Sequence, residues 1–375
     1  MKIEACLTDD IARTLLIPLW CCATPCRANP QAAYDPVAVD VLKQLDFDFS
    51  EIRRSFKEYG QVCCLAREMN IDRTVRDFLA RHPEGTIINL GCGLSTAVYR
   101  KPPAEAVWYD VDLPEVIRAR QALLPPAKGH RLLARDIFDP LWPDAVEAPG
   151  QRGVLLLAAG VFHYQPTDLM GALLPFLSGR FPGGTLFFDA VSSLGMRISN
   201  RYVARSGNRN APMTFCIDKV PDLASLSPRF AAVSETPFFH GLPLSGLTLS
   251  TRVNIAIVQL FGMLKFGRLV SGENGLFTVV YPKAMGAAYV KMLSIPEKNE
   301  EVAGYLTQAA GYPCTFRAAI EGTVQESDKA ILAAQEEAQK QAENSLNKVF
   351  DMFGGEETTV KLRFQVLLIR LPCQD

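Results

Sequence analysis

The sequence predicts an α/β protein built on a doubly wound, mostly parallel sheet, and three observations carry that expectation. Apolar, β-branched runs recur along the chain with helix-patterned segments between them. The first, Thr86-Ile-Ile-Asn-Leu90, passes directly into Gly91-Cys-Gly93 and then Ser95-Thr96. The second, Val107-Trp-Tyr-Asp-Val-Asp112, ends in an acid about 20 residues further on, where a doubly wound fold sets a carboxylate against a ribose. Near-continuous apolar strands alternating with helices imply a sheet covered on both faces. Glycine permits positive φ and close backbone approach, so the turn after the first strand can present N–H groups to a ligand. Ser95 and Thr96 are suited to capping the helix that follows. A lone Gly-x-Gly also serves plain strand–turn–helix units, and it is the acid-ended second strand that links this one to a binding site.

Taken in order, the first 50 residues are punctuated by proline (Ile17-Pro-Leu-Trp20, Asn29-Pro30, Asp35-Pro36), which suggests a helical lid. From Ser50 to Arg81 the spacing of Ile52, Phe56, Tyr59, Val62, Leu65 and Met69, then Val75, Phe78 and Leu79, fits two amphipathic helices. Arg67 and Arg73 on them are either solvated helix charges or, for one of them, a bidentate partner for a ligand carboxylate. After the second strand come a helix beginning near Pro114-Glu115, a third strand at His130–Ala134 leading to Arg135-Asp-Ile137, and a fourth at Gly153–Ala158 running into Ala159-Gly-Val-Phe-His-Tyr164. A helix over Thr167–Leu177 and a fifth strand over Gly183–Asp189 follow. Ligands of such sheets sit at the carboxyl ends of the strands, where Gly91, Asp112, Asp136 and His163 converge.

Composition bounds the function classes. The 375 residues, 48% hydrophobic and 21% charged, suffice for a large core and two domains. A formal charge of -1 gives no general attraction to nucleic acid or an anionic membrane. The chain has no uninterrupted apolar run of the roughly 18 residues a membrane helix needs. Lys2, Glu4, Asp9 and Asp10 at the N-terminus are unlike a signal peptide, so a cytoplasmic location is expected. The ten cysteines lack repeated CxxC spacing and read as small apolar fillers, with Cys22-x3-Cys26 the one remnant of a zinc pattern.

In combination, Asn89-Leu-Gly-Cys-Gly93, Trp108-Tyr-Asp-Val-Asp-Leu-Pro-Glu-Val-Ile117 and Ala159-Gly-Val-Phe-His-Tyr164 resemble class I S-adenosylmethionine methyltransferases of the leucine carboxyl methyltransferase and polyketide O-methyltransferase group. The resemblance begins around Thr14-Leu-Leu-Ile-Pro-Leu-Trp20 and takes in Leu45-Asp-Phe-Asp-Phe49 and Val75-Arg-Asp-Phe78. It continues through Arg205-Ser-Gly-Asn-Arg-Asn210 to Phe261-Gly-Met-Leu-Lys-Phe266. It implies S-adenosyl-L-methionine as cofactor and a small-molecule methyl acceptor as partner. It also implies roles: the Gly91–Gly93 loop under the methionine part, Asp112 on the ribose hydroxyls, Asp136 and Ile137 beside the adenine, and Arg67 on the cofactor carboxylate. Asn89, Cys92, Asp110 and Ala159 complete the implied cofactor set. Two positions depart from the family: Ser95 stands where an Asp is frequent, and Ala159 where some members carry Glu.

Beyond Phe266 another resemblance begins. Gly267-Arg-Leu-Val-Ser-Gly-Glu-Asn-Gly-Leu-Phe-Thr-Val-Val-Tyr-Pro-Lys283 reads as a hairpin around Asn-Gly. A helix over about 284–311, broken near Pro296, a strand at Cys314–Ile320 and a Gln/Ala/Glu-rich helix at Ser327–Phe353 complete an α+β unit. Residues 267–355 are similar to the C-terminal domain of bacterial DNA polymerase III gamma/tau subunits, which implies a protein partner. The expected division is therefore a methyltransferase domain over 1–266, its helical lid over about 1–82, and a second domain over 267–375. The apolar run Phe364–Leu371 has no functional reading in sequence.

A sulfonium methyl is attacked in line, so the protein must chiefly hold the acceptor at near-attack distance and exclude water. His163 and Tyr164 are the candidate catalytic residues. A histidine in an apolar loop after a strand is either a general base or a satisfied structural residue, and Asp189 is a weaker base candidate. Two functions stand: an O-methyltransferase acting on a carboxylate or acidic hydroxyl of a polyketide-like metabolite, or a replication-type interaction module fused to an inactive or cofactor-binding-only methyltransferase domain.

Overall fold

The computed structural model describes residues 14–29, 34–100, 105–147, 153–205, 212–217, 231–244, 246–248, 250–252, 255, 268–271, 275–281, 290–291, 293–310, 312–320 and 364–371. The sheet that positions the site contains β1 (Thr86–Leu90), β2 (Val107–Asp112), β3 (His130–Ala134), β4 (Val154–Ala158), β5 (Thr185–Val191) and β6 (Ala231–Pro237), with a last strand from the far end of the chain, β10 (Phe364–Arg370). Its order is β3-β2-β1-β4-β5-β10-β6. Strands β1 to β5 pair in parallel, whereas β10 runs antiparallel to both β5 and β6. The parallel strands are apolar because helices cover them. Ile88, Leu90, Leu156, Leu186 and Phe188 share one buried cluster with Leu173 and Leu177 of the helix Thr167–Arg180.

Among the described residues, four helices precede the sheet: α1 (Leu16–Ala23), α2 (Pro36–Gln44), α3 (Ser50–Ser55) and α4 (Glu58–Arg81). Asp35 caps α2 by accepting from the Ala38 N–H at 3.0 Å, with Pro36 in the first turn. After α5 (Ala97–Arg100) comes α6 (Pro114–Leu123), and Leu16, Leu19, Trp20 and Cys21 of α1 pack with Cys64 and Leu65 of α4 and with Val116 and Leu123 of α6. One expectation needs correction here. The break between the two helices of 50–81 falls at Phe56 and Lys57, and α4 runs unbroken through Met69 and Val75. The apolar stripe continues across that stretch with Ile71, so nothing stops the helix.

The C-terminal boundary also differs from expectation. The chain divides into one unit of residues 1–246 with 363–375 and a second of 247–362. The apolar run left without a reading is β10, whose Leu367 and Ile369, with Leu371 beyond its end, are buried in the main core. The second unit is thus an insertion between β6 and β10 in the chain, rather than an appended tail. Described by itself, it has a three-stranded sheet, β7 (Arg268–Ser271), β8 (Leu276–Tyr281) and β9 (Thr315–Ile320), in that order. β7 and β8 pair antiparallel as the hairpin reading requires, and β8 and β9 pair in parallel. The helix Pro296–Ala310 lies between β8 and β9 in sequence, and its Val302 and Leu306 share a core with Val279, Tyr281 and Phe316. The Asn-Gly turn residues 272–274, the expected helix over 327–353, most of 205–210 and all of 261–266 lie outside the described residues.

Candidate active site

The strand order reverses between β1 and β4, and this crevice is where an open α/β sheet takes its ligand. Gly91 and Gly93 both follow β1 with positive φ (58° and 49°), and Gly160 follows β4 at 71°. Side chains fill the space a Cβ would need. An atom added at Gly91 would stand 2.5 Å from Val161 Cγ2, and one at Gly160 would stand 3.0 Å from Arg67 Nη1. The glycines are therefore required on both sides of the crevice.

The glycine turn is held from below. Gly91 N–H donates to the Val111 carbonyl at 2.8 Å, and Arg120 Nη1 donates to the carbonyls of Gly93 and Ser95, both at 2.8 Å. Arg120 is itself fixed by Asp110, which also accepts from Trp108 Nε1 at 3.0 Å and Asn89 Nδ2 at 2.8 Å and meets His130 Nε2 at 2.7 Å. Burial opposes ionisation of Asp110, but Arg120 and then His130 outweigh it and hold the carboxyl below its ordinary range. Three members of the expected cofactor shell lie in or beside this set. Asp110 and Asn89 are buried with their side chains engaged on each other, and the Cys92 thiol is buried too.

Asp112, two residues on, ends β2 at the turn. Its Oδ2 accepts from Gly93 N–H at 2.7 Å and its Oδ1 from Leu113 N–H at 2.8 Å. Burial pushes its carboxyl up to about 6, only partly countered by those two N–H groups. Beyond β3, the exposed Asp136 folds its side chain onto Phe138 N–H at 3.0 Å, while Ile137 is buried with its carbonyl accepting from Trp142 Nε1 at 3.0 Å. Asp136, Asp112, Gly91 and Gly160 thus stand at the ends of neighbouring strands.

On the β4–β5 side, Asp189 is the centre, and sequence reasoning gave it only a minor role. It accepts from Arg67 Nε at 2.7 Å and from Gly160 N–H at 2.7 Å, and His163 Nε2 lies 3.3 Å away. Burial works against its charge, but Arg67 and then His163 hold the carboxyl well below the usual range. Arg67 remains one-fifth exposed, and neither of its Nη groups has a hydrogen-bond acceptor among the described residues. Its terminal edge lies against Gly160 at the crevice. Ala159 sits in the same turn but offers only backbone. His163 is buried, with its carbonyl accepting from the Thr214 and Phe215 N–H groups. The Tyr164 hydroxyl is raised above its ordinary value by burial, against the hydrogen bond it shares with Thr14.

Arg120 escaped the sequence reading and Asp189 was read only as a weaker base candidate, though each had a signal. Arg120 occupies an apolar position three to four residues beyond Val116 and Ile117, and Asp189 interrupts the buried strand Leu186-Phe-Phe-Asp-Ala190. A third arginine, Arg100, joins Asp35, Glu68 and Asp72 at 2.7, 2.5 and 3.1 Å and ties α2 and α4 to the helix Ala97–Arg100.

A doubly wound sheet with a glycine turn after β1, an acid closing β2 and an arginine edge at the switch point fits an α/β protein of the nucleotide-cofactor-binding class. Comparison with known proteins narrows this. The family model for leucine carboxyl methyltransferase matches residues 21–177. The chain is 32% identical over 197 residues to the tetracenomycin polyketide synthesis O-methyltransferase TcmP of Streptomyces glaucescens, covering 52% of this chain and 72% of that one. It is 28% identical over 203 residues to the S-adenosyl-L-methionine-dependent methyltransferase dpfgK of Gibberella zeae, covering 50% and 68%. Among solved structures, human N-acetylserotonin methyltransferase in complex with its cofactor aligns over 58% of this chain and 68% of that one, at 13% identity and a TM-score of 0.36. The chain belongs to the leucine carboxyl methyltransferase family: it is an S-adenosyl-L-methionine-dependent methyltransferase.

Proposed function

We propose that this enzyme methylates a carboxylate or an acidic enolic or phenolic hydroxyl on a small, polyketide-like metabolite. The observation that carries the reading is the state of the possible bases. His163 directs Nε2 at Asp189, and burial keeps Tyr164 protonated. An acceptor that ionises unaided near neutral pH needs neither side chain as a base; a carboxylate near pKa 4 meets that condition and an aliphatic alcohol does not. The printed name of the relative from Streptomyces glaucescens, a polyketide O-methyltransferase, supports the same acceptor class.

The residues present fit the cofactor. The free Arg67 edge suits its amino-acid carboxylate, the Gly91–Gly93 turn admits its chain, Asp112 suits the ribose hydroxyls, and Asp136 with Ile137 suits the adenine edge. When bound, the cofactor supplies an electrophilic sulfonium methyl. The protein's own work is to orient and to exclude water: Asp189 aims Arg67, Arg120 holds the turn, and Leu15, whose Cβ would lie 3.2 Å from a Cβ at Gly93, packs over it.

For the 247–362 unit we infer a protein-interaction role. Its separate core around Val279, Tyr281 and Phe316 and the resemblance of 267–355 to gamma/tau C-terminal domains support that reading. The acceptor assignment is tested by a mass-spectrometric screen with isotope-labelled cofactor against polyketide-like acids, phenols and aliphatic alcohols. Methyl esters or aryl ethers are expected, and turnover of alcohols alone contradicts the assignment.

A further inference from the structure

The glycine turn after β1 is covered by the first two helices. Leu15, which opens α1, has its Cβ 3.2 Å from where a Cβ at Gly93 would stand, and Leu94 lies in one buried cluster with Leu16 and Trp20 of α1 and Ala38 and Val41 of α2. A polar contact fastens this cover to the turn through one carboxylate. Asp35 caps α2 with Oδ1, while its Oδ2 accepts from the Thr96 hydroxyl and from Arg100 Nη1, the latter at 2.7 Å. Arg100 Nη1 donates to Thr96 Oγ1 as well, at 2.8 Å, which closes a triangle between α2 and the residues that leave the turn. The other edge of Arg100 is held by α4: Nε donates to Asp72 at 3.2 Å and Nη2 to Glu68 at 2.5 Å, and the Tyr34 hydroxyl donates to Asp72 at 2.7 Å. We propose that α1 and α2 form a gate over the glycine turn and that the contact of Asp35 with Thr96 and Arg100 is its latch, so that the cofactor enters and leaves only when the latch opens.

The gate rests on the reading that the Gly91–Gly93 turn admits the cofactor chain, since a chain lying along that turn is enclosed by Leu15 and α1. An ion cluster suits a part that opens. The solvation lost on burying charges largely offsets their attraction, so such a contact fixes geometry while adding little net stability, and charges that separate regain water. Three buried carboxylates, Asp35, Glu68 and Asp72, share the one guanidinium of Arg100. Asp35 can therefore let go without stranding a buried cation, and Arg100 stays paired with α4 when α2 departs. Asp35 and Arg100 act here as positioning residues. Neither touches the cofactor in this reading, so the latch stabilises the closed form of the free and the loaded protein alike. Weakening it raises the open fraction of both by the same factor, and entry and exit accelerate together while equilibrium affinity stays put. A group that only supports the occupied turn behaves differently, because its loss speeds exit alone.

The test measures both rates on the full chain with isotope-labelled S-adenosyl-L-methionine, association by rapid mixing and dissociation by chase with unlabelled cofactor. Asp35→Asn keeps the cap of α2, since asparagine accepts from the same N–H, and removes the charge that Arg100 meets. Both rate constants should rise about tenfold with the dissociation constant unchanged. Thr96→Val, which removes the hydroxyl bridge and keeps every charge, should raise both by a smaller factor and takes the place of Asp35→Asn if that variant does not fold. Hydrogen exchange of the α2 amides should quicken in the same variants. Asp112→Ala alters the turn and not the latch, and so checks the cofactor's placement separately: it should lower equilibrium affinity, and an unchanged affinity would overturn the placement and the gate with it. Where Asp112→Ala does weaken binding, the latch alone is overturned by dissociation that accelerates without association, or by wild-type rates in the folded latch variants.

Discussion

Asp110 on β2 and Asp189 on β5 are both buried carboxylates, each met by one arginine and one histidine: Arg120 and His130 in the first case, Arg67 and His163 in the second. The difference lies in what the arginine has left. Arg120 is 1% exposed and its two Nη groups are engaged by Asp110, Gly93 and Ser95, whereas Arg67 gives Asp189 its Nε and keeps its outer edge at the crevice. One set is a buttress under the glycine turn, and the other leaves an arginine edge that the proposed function gives to the cofactor carboxylate. The two sets therefore differ in whether the terminal Nη groups of the arginine are engaged within the protein.

The largest effect should come from removing what supports the open centre. β10 pairs Val366 with Asp189 and contributes Leu367, Ile369 and the adjoining Leu371 to the main core. Burying each such side chain is worth roughly 1.5–3 kcal/mol, and whole domains are stable by only about 5–15. Deletion of residues 364–371 should leave no cooperative unfolding transition by circular dichroism; a folded, cofactor-binding truncation would detach β10 from the account. Next in size, Asp110→Ala strands the buried Arg120 and should lower unfolding free energy by about 3–5 kcal/mol in denaturant titrations. A loss below about 1 kcal/mol would mean the buttress is not closed.

Asp112 gives a smaller, pH-dependent effect. Its folded pKa of about 6 lies above the ordinary carboxylate value, so the native state binds the extra proton between about pH 4 and 6. Stability from this group consequently falls as pH rises through that window. Cofactor affinity should move the opposite way, since ribose hydroxyls donate to the ionised form, and should weaken as pH drops below about 6. Asp112→Ala should cost about ten- to hundredfold in affinity by calorimetry and flatten the pH dependence. An unchanged profile would release Asp112 from the ribose. The smallest effect is expected at His163. Because the proposed acceptor ionises unaided, His163→Gln should lower kcat far less than the roughly hundred- to ten-thousandfold of a lost general base. A large loss, together with disappearance of a limb near pH 6 to 7 in the kcat/KM profile, would make His163 the base.

Much of the buttress was legible in sequence only as its backbone. The Gly91-Cys-Gly93 turn and the acid ending β2 are local patterns fixed by φ requirements and strand alternation, and they were read directly. That Asp110 is engaged by Arg120 was not, because Asp110 and Asp112 share one strand face and only the position of Arg120 on α6 singles out one of them. β10 was visible as an apolar run without a partner, since its neighbours β5 and β6 lie more than a hundred residues upstream and antiparallel pairing leaves no local signature. The role of Asp189 depends on Arg67 across 122 residues, a contact that no spacing rule reports.

The claim that Arg67 is the open half of the Asp189 centre is tested most directly by a binding cycle. Affinities of wild-type protein and of Arg67→Met are measured by calorimetry for S-adenosyl-L-methionine and for its decarboxylated analogue. Wild type should prefer the carboxylate-bearing cofactor by about ten- to hundredfold, and Arg67→Met should show almost no preference, whatever general loss the substitution brings to both ligands. A full preference retained in folded Arg67→Met protein would contradict the account and place the cofactor carboxylate elsewhere.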